Sequence, residues 1–130
     1  MKDLRTSHQE GTSPFEVGDI LVESWGYDQT NIDFYQIVRT SEKSVWIKEI
    51  AARQISSNGY QDQLVAAPGQ FIERGYVRGG GKDNGGGRAK RVQWAEWGNQ
   101  PRPYVTISSY SNAYPWNGEV ENQTGAGFGH

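Results

Sequence analysis

The fold of this chain is decided by the stretch Trp25–Gln36, which reads Trp-Gly-Tyr-Asp-Gln-Thr-Asn-Ile-Asp-Phe-Tyr-Gln. It lies between two apolar runs, Ile20–Val22 and Ile37–Val38. Aromatic rings, carboxylates and amide side chains follow one another more densely here than in an ordinary loop. We therefore interpret the stretch as a demanding connection between two strands, with a polar and aromatic surface of its own.

Three strands flank and follow this stretch. Their predicted bounds are Asp19–Ser24, Phe34–Thr40 and Val45–Ile50, and the short connections favour an antiparallel meander. Successive side chains of a strand point to opposite faces of the sheet. Phe34 and Tyr35 are adjacent, so one ring must leave the core unless both faces of the sheet are covered. Such a surplus of rings indicates an aromatic patch for a partner.

Beyond Ile50 the pattern is weaker. Ala51–Ile55 can form a helical turn, and Tyr60–Ala67 can contribute a short fourth strand before a turn at Pro68-Gly69. The segments 90–97 and 104–110 predict a last hairpin, in which Tyr104, Thr106, Ser108 and Tyr110 share one face, followed by a loop at 113–118. Residues 78–88 contain six glycines, which predicts a long flexible Gly-rich loop.

Composition favours strands and turns over helices. The chain has 130 residues with 17 glycines, five tryptophans and seven tyrosines, and it has no cysteine. Aromatic side chains suit a pleated surface, and glycine serves turns. We predict an all-β or mainly β fold, namely a single small antiparallel barrel of five to seven strands. The entry Phe15–Asp19 into the first strand resembles that of SH3-like barrels, and an OB-like barrel is the other expectation.

The length predicts a single domain. We expect a mobile N-terminal arm at 1–13, one β-domain at 14–124 and a C-terminal tail at 125–130. The first residues lack the apolar core of a signal peptide, and no run approaches the ~20 apolar residues that span a bilayer. These features predict a cytoplasmic protein that does not bind membranes.

Charge is distributed unevenly along the chain. Residues 1–36 carry seven acidic and two cationic side chains, whereas residues 74–91 carry six cationic side chains and one acidic. We interpret the two regions as solvated or mutually neutralising. The alternative is that one of them faces a charged partner.

Three segments resemble a group of small uncharacterised proteins of bacteriophages and other bacterial mobile elements. The segments are Phe15–Leu21, Ser24–Gln36 and Ala113–Gly118, of which the string Trp-Gly-Tyr-Asp-Gln-Thr-Asn-x-Asp-Phe-Tyr-Gln is the most specific. The likeness runs from about residue 14 to residue 124. It implies a mobile-element setting inside a bacterial host and carries no catalytic or binding residues with it. Small proteins in that setting often bind and block host machinery, including defence systems.

No constellation of catalytic residues stands out. His8 lies in the predicted arm and His130 is the last residue, which leaves no Ser-His or Cys-His arrangement. Four carboxylates fall on or beside the first three strands and could hold Mg²⁺ as in a hydrolase: Glu23, Asp28, Asp33 and Glu49. Because they have no distinctive spacing, we favour turn-capping and solvated roles for them. We predict no enzyme activity, no cofactor and no metal site.

We predict a non-enzymatic binding protein that occludes a host protein. That host protein could itself handle nucleic acid, and it could be a defence component. The predicted partner-binding residues of this chain are Trp25, Tyr27, Asp28, Asn31 and Asp33, with Tyr114 and Trp116 as neighbours. Rings would fill pockets, and carboxylates would meet a basic partner. The oligomeric state stays open.

The alternative prediction is single-stranded nucleic-acid binding through residues 74–97. There cations that can contact phosphates alternate with rings that can stack on bases. The residues concerned are Arg74, Tyr76, Arg78, Lys82, Arg88, Lys90, Arg91 and Trp94. A pI near 5.7 weighs against this alternative.

Overall fold

The computed structural model describes residues 13–26, 30–57, 61–72, 87–97, 100–108 and 111–124. Within these ranges all regular secondary structure is β-strand, which confirms the predicted all-β class. Nine strands lie there, so the prediction of five to seven is too low: β1 Ile20–Trp25, β2 Asn31–Thr40, β3 Ser44–Ser57, β4 Gln61–Phe71, β5 Arg88–Arg91, β6 Gln93–Trp97, β7 Gln100–Ser108, β8 Ser111–Pro115 and β9 Glu121–Thr124. The same ranges contain no helix with the length and apolar character needed to cross a bilayer.

The strands form one antiparallel sheet that curls into a half-barrel. Its order is β6-β7-β8-β1-β2-β3-β4-β9, and β5 pairs with β3 beside this path. β5 also contacts β7, and β9 contacts β2, although neither pair is adjacent in the ladder. The sheet therefore curls around one of its faces through β7-β8-β1-β2-β3-β5. It curls around the other face through β2-β3-β4-β9.

The central meander β1-β2-β3 is confirmed. Val22 pairs with Phe34, and Phe34 pairs with Ile50, so the three predicted strands are antiparallel neighbours. The helical turn predicted at Ala51–Ile55 is wrong, because these residues continue β3 and pair with β4. Local helix propensity is a weak preference, and the hydrogen bonds offered by a neighbouring strand override it here.

Both faces of the central strands are covered by apolar packing. The first, which we call the Leu21 face, carries the buried residues Phe15, Leu21, Tyr35, Ile37, Val45, Ile47, Val105, Ile107 and Ala113. The second, the Val22 face, carries buried Ile32, Phe34, Ile50, Leu64 and Ala66, with Ile20, Val22 and Trp116 packed against them. Phe34 and Tyr35 are therefore both buried, and neither ring is displaced to the surface. The argument from surplus rings does not apply to this pair.

The turn predicted at Pro68-Gly69 lies inside β4 instead. Ile50 pairs with Phe71, and Ala52 pairs with Ala66, so residues 67–70 of β4 stand opposite Ala51 alone. Gly69 has φ of +78°, and its N–H donates to Gln36 Oε1 at 2.7 Å. Two turn-forming residues thus produce a bulge in a continuous strand, because the ladder resumes on both sides of them.

The C-terminal third is partly as predicted. β6 and β7 form the expected hairpin, but Lys90 and Arg91 belong to β5, which pairs with β3. Residues 113–115, predicted as loop, lie in β8, and β9 was not predicted. The predicted arm up to residue 12, the tail at 125–130 and the Gly-rich stretch through residue 86 lie outside the described residues.

Candidate functional site

The polar end of the Leu21 face lies where β1 and β2 meet their connection. Glu23 pairs with Asp33, and Trp25 pairs with Asn31, in the antiparallel register. Directly opposite residues share a face, with Cβ atoms about 5 Å apart. Two carboxylates are therefore neighbours beside an indole. Each carboxylate accepts hydrogen bonds from its own donors. Because these donors differ, the two carboxylates have different roles.

Glu23 is the buried carboxylate of the pair and has no exposed surface. Tyr35 Oη donates to Glu23 Oε1 at 2.8 Å, and Ser111 Oγ donates to Glu23 Oε2. The hydroxyls of Ser111 and Ser108 are 3.0 Å apart and share a further hydrogen bond. A carboxylate can be buried at tolerable cost when donors surround it. This network joins four strands, so Glu23 is an internal tie of the sheet.

Asp33 is the half-buried carboxylate, and Trp25 is half-buried beside it. Trp25 Nε1 donates to Asp33 Oδ2 at 2.6 Å, across the two strands. A hydrogen bond to an ionised acceptor is stronger than a neutral one. It holds the indole ring and the carboxylate in one orientation. We call Trp25, Asn31 and Asp33 the Trp25–Asp33 site, because all three are half-buried and share this end of the face.

Of the four further partner-binding predictions, the structure describes Tyr114 and Trp116, and these two fall elsewhere. Tyr27 and Asp28 lie outside the described residues. Tyr114 pairs with Val22, which places it on the Val22 face. Trp116 packs edge-on against buried Phe34 with ring centroids 5.3 Å apart, and its Nε1 donates to the carbonyl oxygen of Glu119. The structure therefore does not bring Tyr114 and Trp116 together with the Trp25–Asp33 site.

The residues of the nucleic-acid alternative also separate. Arg74, Tyr76, Arg78 and Lys82 lie outside the described residues, and Trp94 is half-buried in β6. In β5, Arg88 pairs with Ile47 and Lys90 with Val45, so both side chains share the Leu21 face. Arg91 is exposed and alternates to the opposite side of the strand. Only one described cation of the set is thus fully at the surface.

Lys90 lies at the junction of β5 and β7. Its Nζ donates to the carbonyl oxygen of Ile107 at 3.3 Å. Burial, and then the positive charge of Arg88, lower the pKa of Lys90 below its ordinary 10.5. Both effects disfavour the charged ammonium. Arg88 differs from Lys90 in one respect: its Nη1 is buried and has no hydrogen-bond partner among the described residues.

Three members of the predicted carboxylate set share the Leu21 face. Glu49 pairs with Tyr35, and so stands on the same face as Glu23 and Asp33, while Asp28 is outside the described residues. In the part of the chain that the structure describes, no group of three or more acidic or histidine side chains is arranged to hold a metal ion. The carboxylates are distributed along the face instead of converging on one point.

Ser108 and Ser111 are the site residues that the sequence did not reveal. The regular alternation of β7 places Ser108 with Tyr104 and Thr106, away from Val105. The pairing of β7 with β8 shifts register between Thr106 and Ser108, which pairs Ser108 with Ser111. That irregularity brings the Ser108 hydroxyl to the Glu23 network. The signal in the sequence is Glu23, a glutamate that follows an apolar run within one strand and therefore needs hydrogen-bond donors nearby.

Comparisons of the chain with protein-family models, with curated proteins and with solved structures found no match. The resemblance to small phage proteins therefore stands on the residues quoted for it, above all the string Trp25–Gln36. The function of the chain has to be inferred from the geometry of its own residues.

Proposed function

We propose that this chain is a non-enzymatic binding protein of a bacteriophage or mobile element, which acts in the host cytoplasm by occluding a host protein. The binding surface is the Trp25–Asp33 site, extended by Tyr27 and Asp28 of the connection between β1 and β2. The partner is basic at the contact, as expected of a host protein that handles nucleic acid, such as a defence component. The half-barrel that carries this surface is proposed to be of the SH3-like or OB-like kind.

The observation that carries the proposal is the 2.6 Å hydrogen bond from Trp25 Nε1 to Asp33 Oδ2. Energetic hot spots of interfaces are enriched in tryptophan and need little reordering when they bind. Here the indole and the carboxylate are already fixed relative to each other on two paired strands. The ring can supply buried area and the carboxylate can supply charge to the same partner.

Rigidity below the site supports the same proposal. Glu23 pairs with Asp33 and accepts hydrogen bonds from hydroxyls of β2 and β8, so the strand beside the Asp33 carboxylate is tied to both of its neighbours. A binding residue placed on a rigid element keeps its geometry better than one on a loop. The buried Glu23 network and the half-buried Trp25–Asp33 site are thus neighbouring parts of one arrangement.

Affinity capture from bacterial lysate, followed by titration calorimetry with the purified partner, tests the proposal. We expect Trp25→Ala and Asp33→Ala each to weaken binding by about 30-fold or more. The matched control is Glu42→Ala, which removes an exposed carboxylate from the turn between β2 and β3. Salt should weaken the wild-type complex, since rim charges are screened. A partner that binds all four proteins equally would refute the surface.

The second candidate is nucleic-acid binding through residues 74–97. It is favoured by the Nη1 of Arg88, which is buried and has no hydrogen-bond partner within the described ranges. Fluorescence anisotropy of labelled single-stranded and duplex oligonucleotides, at low and physiological salt, separates it from the first. The Arg88, Lys90 and Arg91 triple alanine variant is the comparison. Binding that falls steeply with salt and disappears in this variant would place nucleic acid ahead of a protein partner. No binding at low salt would remove this candidate.

A further inference from the structure

Two cations of β5 face the apolar interior of the curl, and they define a second place of chemical interest. Arg88 shares the Leu21 face with its partner Ile47, and Lys90 shares it with Val45. Residues two apart in a strand are about 7 Å from each other on one face. Two positive charges are therefore adjacent between β5 and β7, away from the Trp25–Asp33 site.

Arg88 is the less satisfied of the two. Its Nη1 is buried, and no acceptor among the described residues reaches it. A guanidinium cannot lose its proton in proteins, so the group stays a charged donor. An unmade hydrogen bond of a buried group is expensive, and in native structures such a group calls for an explanation, of which a bound water or ion is one. The residue as a whole is only half-buried, so other atoms of Arg88 reach the surface.

Lys90 gives an independent sign of uncompensated charge. Its ammonium donates to the neutral carbonyl oxygen of Ile107, at a long 3.3 Å. Burial and the charge of Arg88 both lower the pKa of Lys90. A carbonyl dipole satisfies a hydrogen bond but does not cancel a charge. Both cations would gain from a negative group between them.

The start of β5 is held so that these side chains keep their direction. Gly87 has φ of +87°, a conformation that favours glycine. A Cβ there would lie 2.9 Å from Val38 Cγ2 and 3.1 Å from the carbonyl oxygen of Ile47. The backbone before Arg88 therefore lies directly against β2 and β3. The Arg88 side chain therefore starts from a fixed backbone position.

We propose that Arg88 and Lys90 bind a phosphate-sized oxyanion at the junction of β5 and β7. The guanidinium offers a planar fork that matches two oxygens, and the ammonium supplies a second positive charge. The anion neutralises both cations and accepts hydrogen bonds from the guanidinium. This site goes beyond the proposed binding of a basic protein, because it takes a ligand of the opposite charge at other residues.

Inorganic phosphate is the first probe. Thermal unfolding of the full chain is followed in increasing phosphate against chloride of equal ionic strength, and the rise in melting temperature gives the affinity. We expect Arg88→Gln and Lys90→Gln each to weaken phosphate binding about tenfold or more. Arg91→Gln is the matched control, since it removes the same charge from the exposed side of the same strand. It should change the affinity less than about twofold.

Three outcomes overturn the site: no rise beyond chloride, a rise equal in all variants, or an equal loss in Arg91→Gln. Circular dichroism confirms that each variant folds, and Arg88→Lys, which keeps the charge but loses the fork, provides a second variant. It should bind more weakly than wild type and more tightly than Arg88→Gln. Equal affinity of Arg88→Lys and Arg88→Gln would also count against the guanidinium fork.

The phosphate can belong to a small molecule or to a nucleic acid. Thymidine 5′-monophosphate, thymidine and a short single-stranded thymidine oligonucleotide distinguish these sources. Binding of the monophosphate but not of thymidine supports a small phosphorylated ligand. Oligonucleotide binding that is lost in the Arg88 and Lys90 variants alone supports a backbone phosphate in the same site. Oligonucleotide binding that is lost equally in Arg91→Gln indicates diffuse attraction and overturns the proposal. Loss of binding here leaves the Trp25–Asp33 site untouched, so the two proposals fail separately.

Discussion

The Leu21 face carries the acidic side chain of Glu23 at one place and the basic side chain of Arg88 at another, and the two differ in their hydrogen-bond partners. Glu23 is fully buried yet receives hydrogen bonds from Tyr35 and Ser111. Arg88 is less buried, yet its Nη1 has no partner in the described residues. The acidic group is completed by the chain itself. The basic group has no such partner among the described residues, which is why we propose that an oxyanion binds there.

The position of each strand explains this difference. Glu23 lies on β1, which pairs with β2 on one side and with β8 on the other, so donors reach it from both neighbours. Arg88 lies on β5, whose described ladder is with β3 alone. On its other side β5 contacts β7 without pairing. Charges inside a sheet find internal partners, whereas charges at an unpaired junction are available to a ligand.

Replacement of Glu23 by leucine should have the largest effect. The substitution removes the acceptor of the buried Tyr35 hydroxyl and of the half-buried Ser111 hydroxyl. Each unmade hydrogen bond costs about 1–3 kcal/mol when the group is buried. We expect the free energy of unfolding to fall by about 3 kcal/mol or more in urea titration. Tyr35→Phe, which removes one donor and keeps the ring, should cost only about 1 kcal/mol. If Glu23→Leu left the free energy of unfolding unchanged, the hydrogen-bond network would not stabilise the protein through Glu23.

Removal of the Asp33 carboxylate should have an intermediate effect. Asp33→Ala leaves Trp25 Nε1 without the acceptor now at 2.6 Å, but the indole is half-buried and water can replace it in part. We expect a loss of about 1–2 kcal/mol in the free energy of unfolding. Glu42→Ala, at an exposed position, should stay within about 0.5 kcal/mol. If both variants lose the same amount, the indole bond contributes nothing to stability.

Replacement of Arg88 by methionine should have the opposite sign to that of Glu23. Methionine keeps an unbranched stem and removes a buried donor that has no acceptor in the part of the chain that the structure describes. In chloride buffer we expect the free energy of unfolding to rise by about 1 kcal/mol. Phosphate should abolish the advantage, because it stabilises only the wild-type protein. A clear destabilisation of Arg88→Met in chloride would show that the guanidinium already has a stabilising partner.

The sequence predicted the central strands well, because their signal is local. Alternating side chains placed Phe34–Ile37 and Val45–Ile50 on the correct faces, but strict alternation fails at Arg39, because a register shift after Ile37 pairs it with Trp46 on the opposite face. The prediction from sequence failed where pairing with a distant strand decides the secondary structure. Ala51–Ile55 reads as a helical turn until β4 is present to pair with it, and β4 itself was only a weak signal. No local rule contains the information that two distant segments will become neighbours.

The candidate site could likewise be predicted only in part. The string Trp25–Gln36 marked Trp25, Asn31 and Asp33, which the antiparallel register does bring together. Tyr114 and Trp116 could not be excluded from the sequence, since their face depends on the pairing of β8 with β1. Ser108 could not be found at all, since a register shift in β7 turns it from its expected side. Register shifts in a ladder depend on tertiary structure, which a local sequence pattern does not show.

The pH dependence of stability should show the smallest effect, and it reports on Lys90 directly. Burial, followed by the charge of Arg88, lowers the pKa of Lys90 in the folded protein below 10.5. Between the two pKa values the unfolded chain therefore binds more protons, so the free energy of unfolding rises with pH across that window. Below the folded pKa the ammonium is charged in both states, and its burial penalty is fully present. Lys90→Met lacks the group and should lack this rise.

The difference between Lys90→Met and wild type isolates this titration, since the tyrosines titrate in both proteins. Urea unfolding between neutral pH and about pH 10.5 should show the advantage of the methionine variant shrinking as the pH rises. In Arg88→Met the rise should be smaller, because one of its two causes is gone. Phosphate should reduce it too, since an anion beside Lys90 favours the ammonium and raises its pKa. Parallel pH curves for wild type and Lys90→Met would contradict the buried, uncompensated charge on which the contrast with Glu23 depends.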